Sequence, residues 1–278
     1  MSGEVPEATR QGEQEFLVEV RFLKTVAVAN QKGGVGKTTC CVNLAAELGR
    51  QGKKVLVLDI DPQGNSTSGL GVDVDHVNNS MYHVILDEVP PTSAIIPSPW
   101  EGVWVLPATL DLAGSEVELA GVMSRETRLA RHMHAMKDFD IGFIDCPPSL
   151  GLLTVNALVA ADSLLVPIQC EYYALEGVGQ LMRTVSLVQR YLNENLNLDG
   201  VVLTMFDART NLSKEVADEV RNQFREAVFD TLIPRNVRLS EAPSHGKPIC
   251  YYDPESAGAA AFRNLAEEVQ QRWLVQGL

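Results

Sequence analysis

Apolar positions along this chain fall into two alternating rhythms. Short apolar runs at Val26–Ala29, Val55–Leu58, Val103–Leu106, Ile141–Ile144, Ser163–Ile168 and Gly200–Met205 read as strands, and a further short apolar segment ends at Leu232–Pro234. Between them the apolar positions recur every three or four residues. A helix is predicted after the first run through Val42, Leu44, Ala45 and Leu48, and others over 112–122, 125–136, 175–192, 214–227 and 257–274. Strand and helix alternating from end to end predict an α/β fold, a doubly wound and mostly parallel sheet flanked by helices. Residues 65–120 are the least legible stretch, because Pro90, Pro91, Pro97 and Pro99 bracket a region read as loop.

Charge and composition narrow the class. The chain has 278 residues, 45% of them hydrophobic, which suits one large core better than two small ones. Residues 1–20 carry Glu4, Glu7, Glu13, Glu15 and Glu19 against Arg10 and read as an acidic, disordered leader. Phe16–Val20 is a candidate short strand, and 21–278 reads as one domain. A net charge of −13 excludes a surface that is basic throughout, so any nucleic-acid contact must come from a local patch. The five cysteines (Cys40, Cys41, Cys146, Cys170, Cys250) show no CxxC pairing and suit small buried thiols. With no signal segment and no membrane-length apolar run, a cytoplasmic protein is expected.

The chemistry concentrates where runs end. The first run leads into Asn30-Gln31-Lys32-Gly33-Gly34-Val35-Gly36-Lys37-Thr38-Thr39 and then a helix. Strand, glycine-rich loop and helix is the context a phosphate-binding loop needs. Glycines let backbone N–H groups converge on a phosphate, and the helix N-terminus adds favourable partial charge. Lys37 is expected to neutralise the β- and γ-phosphates, the Thr38 hydroxyl to ligate Mg²⁺, and Thr39 to meet the α-phosphate. Gly33, Gly34, Val35 and Gly36 supply the cradle.

Two further strand ends carry carboxylates. Asp59-Ile60-Asp61-Pro62 follows the second run, and alternation places Asp59 and Asp61 on one side of the extended chain. Such a pair can hold the Mg²⁺ water shell and position an attacking water. Ile141–Asp145 ends in the arrangement by which a carboxylate reaches Mg²⁺ through water, and Pro147-Pro148 stiffen a loop placed to sense the γ-phosphate.

These segments together resemble the ParA/MinD superfamily of ATPases, and within it the chromosomal ParA (Soj-type) partitioning branch. Lys32-Gly33-Gly34-Val35-Gly36-Lys37-Thr38 is similar to that superfamily's deviant Walker A motif. Asp59–Asn65, Asp145–Gly151, Gln169–Gly177, Thr204–Leu212 and Pro234–Pro248 extend the match over roughly 22–275. The resemblance implies that ATP and Mg²⁺ are bound and that ATP drives a sandwich homodimer, with Lys32 reaching the other subunit's nucleotide. It implies catalytic roles for Lys32, Lys37 and Asp61, metal contacts by Thr38, Asp59 and Asp145, and an adenine pocket lined by Pro234 and Asn236. It also implies non-specific binding of double-stranded DNA through Arg209 and Arg238, hydrolysis stimulated by a ParB-type partner, nucleoid association and no membrane.

Three rival readings are weaker. A MinD-like membrane-cycling ATPase needs a basic amphipathic C-terminal helix, but the stripe Phe262, Leu265, Ala266, Val269, Trp273 reads as core beside Glu267 and Glu268. A cluster-carrying or ligase-type P-loop enzyme of the first kind needs paired cysteine spacing that is missing here. A module that never hydrolyses would not need Asp61.

Overall fold

The computed structural model describes residues 23–172 and 174–274. The candidate strand at Phe16–Val20 and the leader lie outside them.

The strands are β1 (Lys24–Val28), β2 (Val55–Asp59), β3 (Ile96–Pro97), β4 (Val103–Leu106), β5 (Ile141–Asp145), β6 (Ser163–Gln169), β7 (Asn197–Phe206) and β8 (Val228–Pro234), all but β3 at apolar runs. They form one sheet in the order β3-β4-β2-β5-β1-β6-β7-β8. Every pairing is parallel except the short β3–β4 contact at the edge. All five residues of β2 and of β5 are buried, as strands covered on both faces must be.

The helices are α1 (Lys37–Arg50), α2 (Asn65–Gly69), α3 (Met81–Ile85), α4 (Leu112–Glu118), α5 (Arg128–His132), α6 (Leu152–Ala160), α7 (Glu176–Tyr191), α8 (Asn211–Phe224), α9 (Val237–Glu241), α10 (Ile249–Tyr252) and α11 (Ala257–Val269). They split the core between the two sheet faces. One cluster joins α1 and α11 to Val26, Val28, Val55, Val57, Ile141 and Phe143. The other joins α6, α7 and α8 to the alternate residues Ala27, Leu56, Leu58 and Ile144. The doubly wound architecture is therefore as the alternating pattern predicts.

Several boundaries differ from expectation for identifiable reasons. The helix expected from Lys214 starts at Asn211, because the Thr210 hydroxyl caps it by accepting from the Ser213 N–H. The stretch read as loop contains β3, and the least legible stretch around it also holds α2 and α3, elements too short to show a period. The Pro234–Pro248 segment, which carries no clear period, folds into α9 and a following turn, with the Asn236 side chain accepting from the Arg238 N–H. The C-terminal stripe is core. Phe262, Leu265, Ala266 and Val269 are fully buried, and Trp273 meets Phe229 edge-on at 5.5 Å. No helix among the described residues is long and apolar enough to cross a membrane.

Candidate functional site

The sheet's topology sets the site. β1, β2 and β5 are neighbours, so the segments that leave their C-terminal ends meet above the sheet. β1 delivers the loop 29–36. Gly36 has a φ of 96°, a left-handed turn that aims α1 back over the sheet, and it packs beneath Thr204 of β7. The Thr204 hydroxyl donates to the Val35 carbonyl at 2.8 Å and ties the loop to β7. At the loop's start the Asn30 amide donates to the Pro167 carbonyl at 2.8 Å, while its oxygen accepts from the Lys32 N–H at 3.0 Å.

The two lysines of the loop differ. Lys37 is buried, and its ammonium donates to the Lys32 carbonyl at 3.3 Å. Burial holds its pKa below the ordinary lysine value, opposed by the nearby charge of Asp145. Lys32 is half-buried, and its ammonium has no partner among the described residues. Gly177, at the start of α7, sits where an added Cβ would lie 3.8 Å from the Lys32 Cβ.

The carboxylates follow from register. Asp59 and Asp145 end β2 and β5 and are cross-strand partners. Asp145 Oδ2 accepts from the Thr38 hydroxyl at 2.7 Å and the Ser66 hydroxyl at 2.6 Å, whereas its buried Oδ1 has no partner. Asp59 is used differently. Its Oδ2 accepts from the Thr67 N–H at 2.9 Å and hydroxyl at 2.7 Å, and its Oδ1 from the Asp61 N–H at 3.2 Å. Burial pushes both carboxyls above the ordinary range. For Asp59 the charge of Asp145 adds to the effect. The expectation that strand alternation aligns Asp59 with Asp61 needs correction, because β2 stops at Asp59. Asp61 lies in the following turn, where its Oδ1 accepts from the Gln63 N–H at 3.0 Å.

This donor set fits a divalent cation. A buried carboxylate oxygen without a partner, beside a hydroxyl that already faces the same carboxylate, is the hard oxygen environment Mg²⁺ prefers. A cavity of about 280 Å³ opens beside the loop, bounded by Gly36, Thr39, Met205, Ile233, Pro234, Asn236 and Phe262. Its apolar walls with a few polar edges can take a flat heterocycle. Pro234 and Asn236 both line this cavity. Met205, whose φ is 52°, forms part of the wall and carried no sequence signal.

Comparison with known proteins places this geometry. A family described as an AAA domain matches residues 23–198. The sporulation initiation inhibitor protein Soj of Bacillus subtilis is 56% identical over 88% of this chain and 98% of its own. The chromosome partitioning protein ParA of Myxococcus xanthus is 48% identical over 90% of this chain and 88% of its own. The chain belongs to the Soj/ParA family of chromosome-partitioning ATPases. Among solved structures, cobyrinic acid a,c-diamide synthase from Mycobacterium smegmatis, with a bound ATP analogue and magnesium, superposes with a TM-score of 0.80. It shares 40% identity over 91% of this chain and 96% of that one. The cell division ATPase MinD of Pyrococcus furiosus gives 0.75 at 29% identity, covering 89% of this chain and 98% of that one.

For a Soj/ParA relative, the two arginines expected to meet DNA are notable for their company. Arg209 is exposed and forked onto Asp207, with Nη2 to Oδ2 at 2.7 Å and Nε to Oδ1 at 2.9 Å. Arg238 meets Glu241 at 2.9 Å and Asp253 at 3.3 Å. The Arg209 guanidinium, with the neighbouring backbone N–H, pulls the Asp207 carboxyl down to about 2. Both arginines stand at the surface, each already holding a carboxylate.

Ser66 and Thr67 are the site residues that lie outside every motif, while Asn30 and Thr204 stand inside motifs that gave them no role. A hydroxyl pair just after Gly64-Asn65 reads in sequence as a helix start, and it does begin α2. That its hydroxyls grip two buried carboxylates is visible only once β2 and β5 are neighbours.

Proposed function

We propose that this protein is a nucleotide-gated, DNA-binding partitioning ATPase. The loop 32–39 cradles the phosphates through its N–H groups, with Lys37 on the β- and γ-phosphates and Thr39 on the α-phosphate. Pro234 and Asn236 bound the base. Thr38 and Asp145 would hold Mg²⁺, with Asp59 behind its water shell; the ion, when bound, neutralises phosphate charge. Asp61 orients the attacking water. Without a strong general base in the motif, hydrolysis is slow until a ParB-type partner completes the site.

The observation that carries the reading is the contrast between two lysines of one phosphate loop. Lys37 is buried and turned onto its own loop, while the Lys32 ammonium is unpaired among the described residues. A second charge beside a phosphate site, unused by its own subunit, suits reaching the nucleotide of a second copy. ATP thereby joins two subunits, and the pair presents two sets of Arg209 and Arg238 to non-specific duplex DNA. The reading places the protein in the cytoplasm on the nucleoid.

Light scattering with saturating ATP and Mg²⁺ tests it. Wild type should dimerise, and Lys32→Ala should bind ATP yet stay monomeric. A monomeric wild type would sink the sandwich arrangement. The 40% likeness to cobyrinic acid a,c-diamide synthase favours an amide-forming enzyme less than the 56% likeness to Soj favours partitioning.

A further inference from the structure

Thr67 is fully buried, and its side-chain hydrogen bonds go to Asp59 and Ala108 rather than to the phosphate loop. Its hydroxyl works in both directions. It donates to Asp59 Oδ2 at 2.7 Å and accepts from the Ala108 N–H at 3.1 Å, so it joins the ends of β2 and β4. The two segments are built to meet. Gly64 is left-handed with φ 62°, and a Cβ there would stand 3.2 Å from the Ala108 carbonyl oxygen. Only a side chain that both donates and accepts from one atom can make the two contacts, so serine can replace threonine while valine and alanine cannot.

The consequence runs through Asp59. Among the described residues, the hydrogen bonds to this carboxylate come from the chain that follows it, namely two from Thr67 to Oδ2 and one from the Asp61 N–H to Oδ1. Fixing Oδ2 fixes the plane of the carboxylate, and that plane sets where Oδ1 can hold the Asp61 backbone. Asp61 itself turns back onto the Gln63 N–H at 3.0 Å, so its carboxylate is carried by a two-step chain that starts at Thr67.

We propose that Thr67 is a positioning residue for hydrolysis, acting through Asp59 to hold the Asp61 carboxylate in line with the attacking water. This rests on the role given to Asp61 under the proposed function. The Thr67 hydroxyl is taken up by Asp59 and Ala108, so its contribution falls on turnover and leaves nucleotide affinity alone. Reacting groups misplaced by about 1 Å cost on the order of a hundredfold. Because the Thr67 N–H survives substitution and still donates to Oδ2, the loss should be smaller, about tenfold in turnover.

The test is single-turnover hydrolysis of ATP with Mg²⁺, alongside the affinity for a fluorescent ATP analogue. The variants are Thr67→Val, Thr67→Ser, Asp59→Asn and the double variant Thr67→Val/Asp59→Asn. Thr67→Val should slow hydrolysis about tenfold with affinity within about twofold, and Thr67→Ser should restore the wild-type rate. In the double variant the two losses should not add, because Thr67 acts only through Asp59. Should Thr67→Val fold poorly, Thr67→Ala compared with Thr67→Ser, which differ by the one hydroxyl, decides the same question.

Equal losses of affinity and rate, additive losses, or a serine variant as slow as valine would each overturn the proposal. Asp61→Ala, run in parallel, separates the two levels. If it hydrolyses at the wild-type rate, the role of Asp61 fails. If it is inactive while Thr67→Val matches wild type, only the role of Thr67 fails.

Discussion

Asp59 and Asp145 stand side by side as cross-strand partners at the ends of β2 and β5, both fully buried. Two buried carboxyls in that position cannot both ionise at low cost.

A pH dependence of stability follows for the nucleotide-free protein. Burial and the charge of Asp145 push Asp59 up to about 8 from an ordinary 3.8. A raised carboxyl takes up a proton on folding, so its contribution is full below the ordinary carboxylate range and is lost as pH rises toward about 8. The slope is about 1.4 kcal/mol per pH unit for each proton taken up. Urea unfolding between those limits should show wild type losing stability relative to Asp59→Asn as pH rises. Mg²⁺ with nucleotide should flatten the difference. Parallel curves in the free protein would contradict a buried proton on this pair.

Lys37 and Lys32 should separate cleanly by substitution. Lys37→Ala removes a charge-assisted phosphate contact worth about 1.5–3 kcal/mol, so ATP affinity should fall about tenfold or more. Lys32→Ala should keep binding within a few-fold and lose ATP-dependent dimerisation. Titration with a fluorescent ATP analogue, paired with light scattering, checks both.

Gly36 turns the loop at φ 96°, and a Cβ there would touch Thr204 at 3.5 Å. The contact is tolerable but the backbone conformation is not, so Gly36→Ala should destabilise the chain by about 1–2 kcal/mol. Nucleotide affinity should drop as well, because the N–H groups of the cradle shift. A denaturant midpoint unchanged from wild type would contradict the strain.

How much of this was legible in the sequence depended on the range of the interaction. The phosphate loop and the strand-end position of Asp145 are local in sequence and were readable from their own neighbours, whereas Pro234 and Asn236 came only with the family resemblance. Ser66 and Thr67 were not, since their partners lie in other strands and a hydroxyl after glycine looks like any helix start. The error over Asp59 and Asp61 has the same origin. Alternation is a property of strands, and nothing in Asp59-Ile60-Asp61 marks the point where β2 stops. β3 escaped notice because two residues with a proline carry no period and stand only at an edge, where a missing N–H is tolerated.

The arginines are the least complete part of the sequence reading. Their type was visible, but their carboxylate partners were not. Since Arg209 already holds Asp207, the proposed contact with DNA phosphate would displace a bidentate pair. Asp207→Asn should therefore tighten DNA binding, while Arg209→Ala and Arg238→Ala should each weaken it. Each lost contact should lower the salt slope by about 1, hence by about 2 for a dimer. Filter binding at several salt concentrations checks the sign of each change.

The most direct test of the nucleotide gate is duplex DNA binding across a salt series with ATP and Mg²⁺, with ADP and Mg²⁺, and with no nucleotide. Binding should be appreciable only with ATP, should not depend on DNA sequence, and should fall linearly with the logarithm of salt concentration. Equal affinity in all three nucleotide states, or affinity indifferent to salt, would contradict a nucleotide-assembled arginine surface.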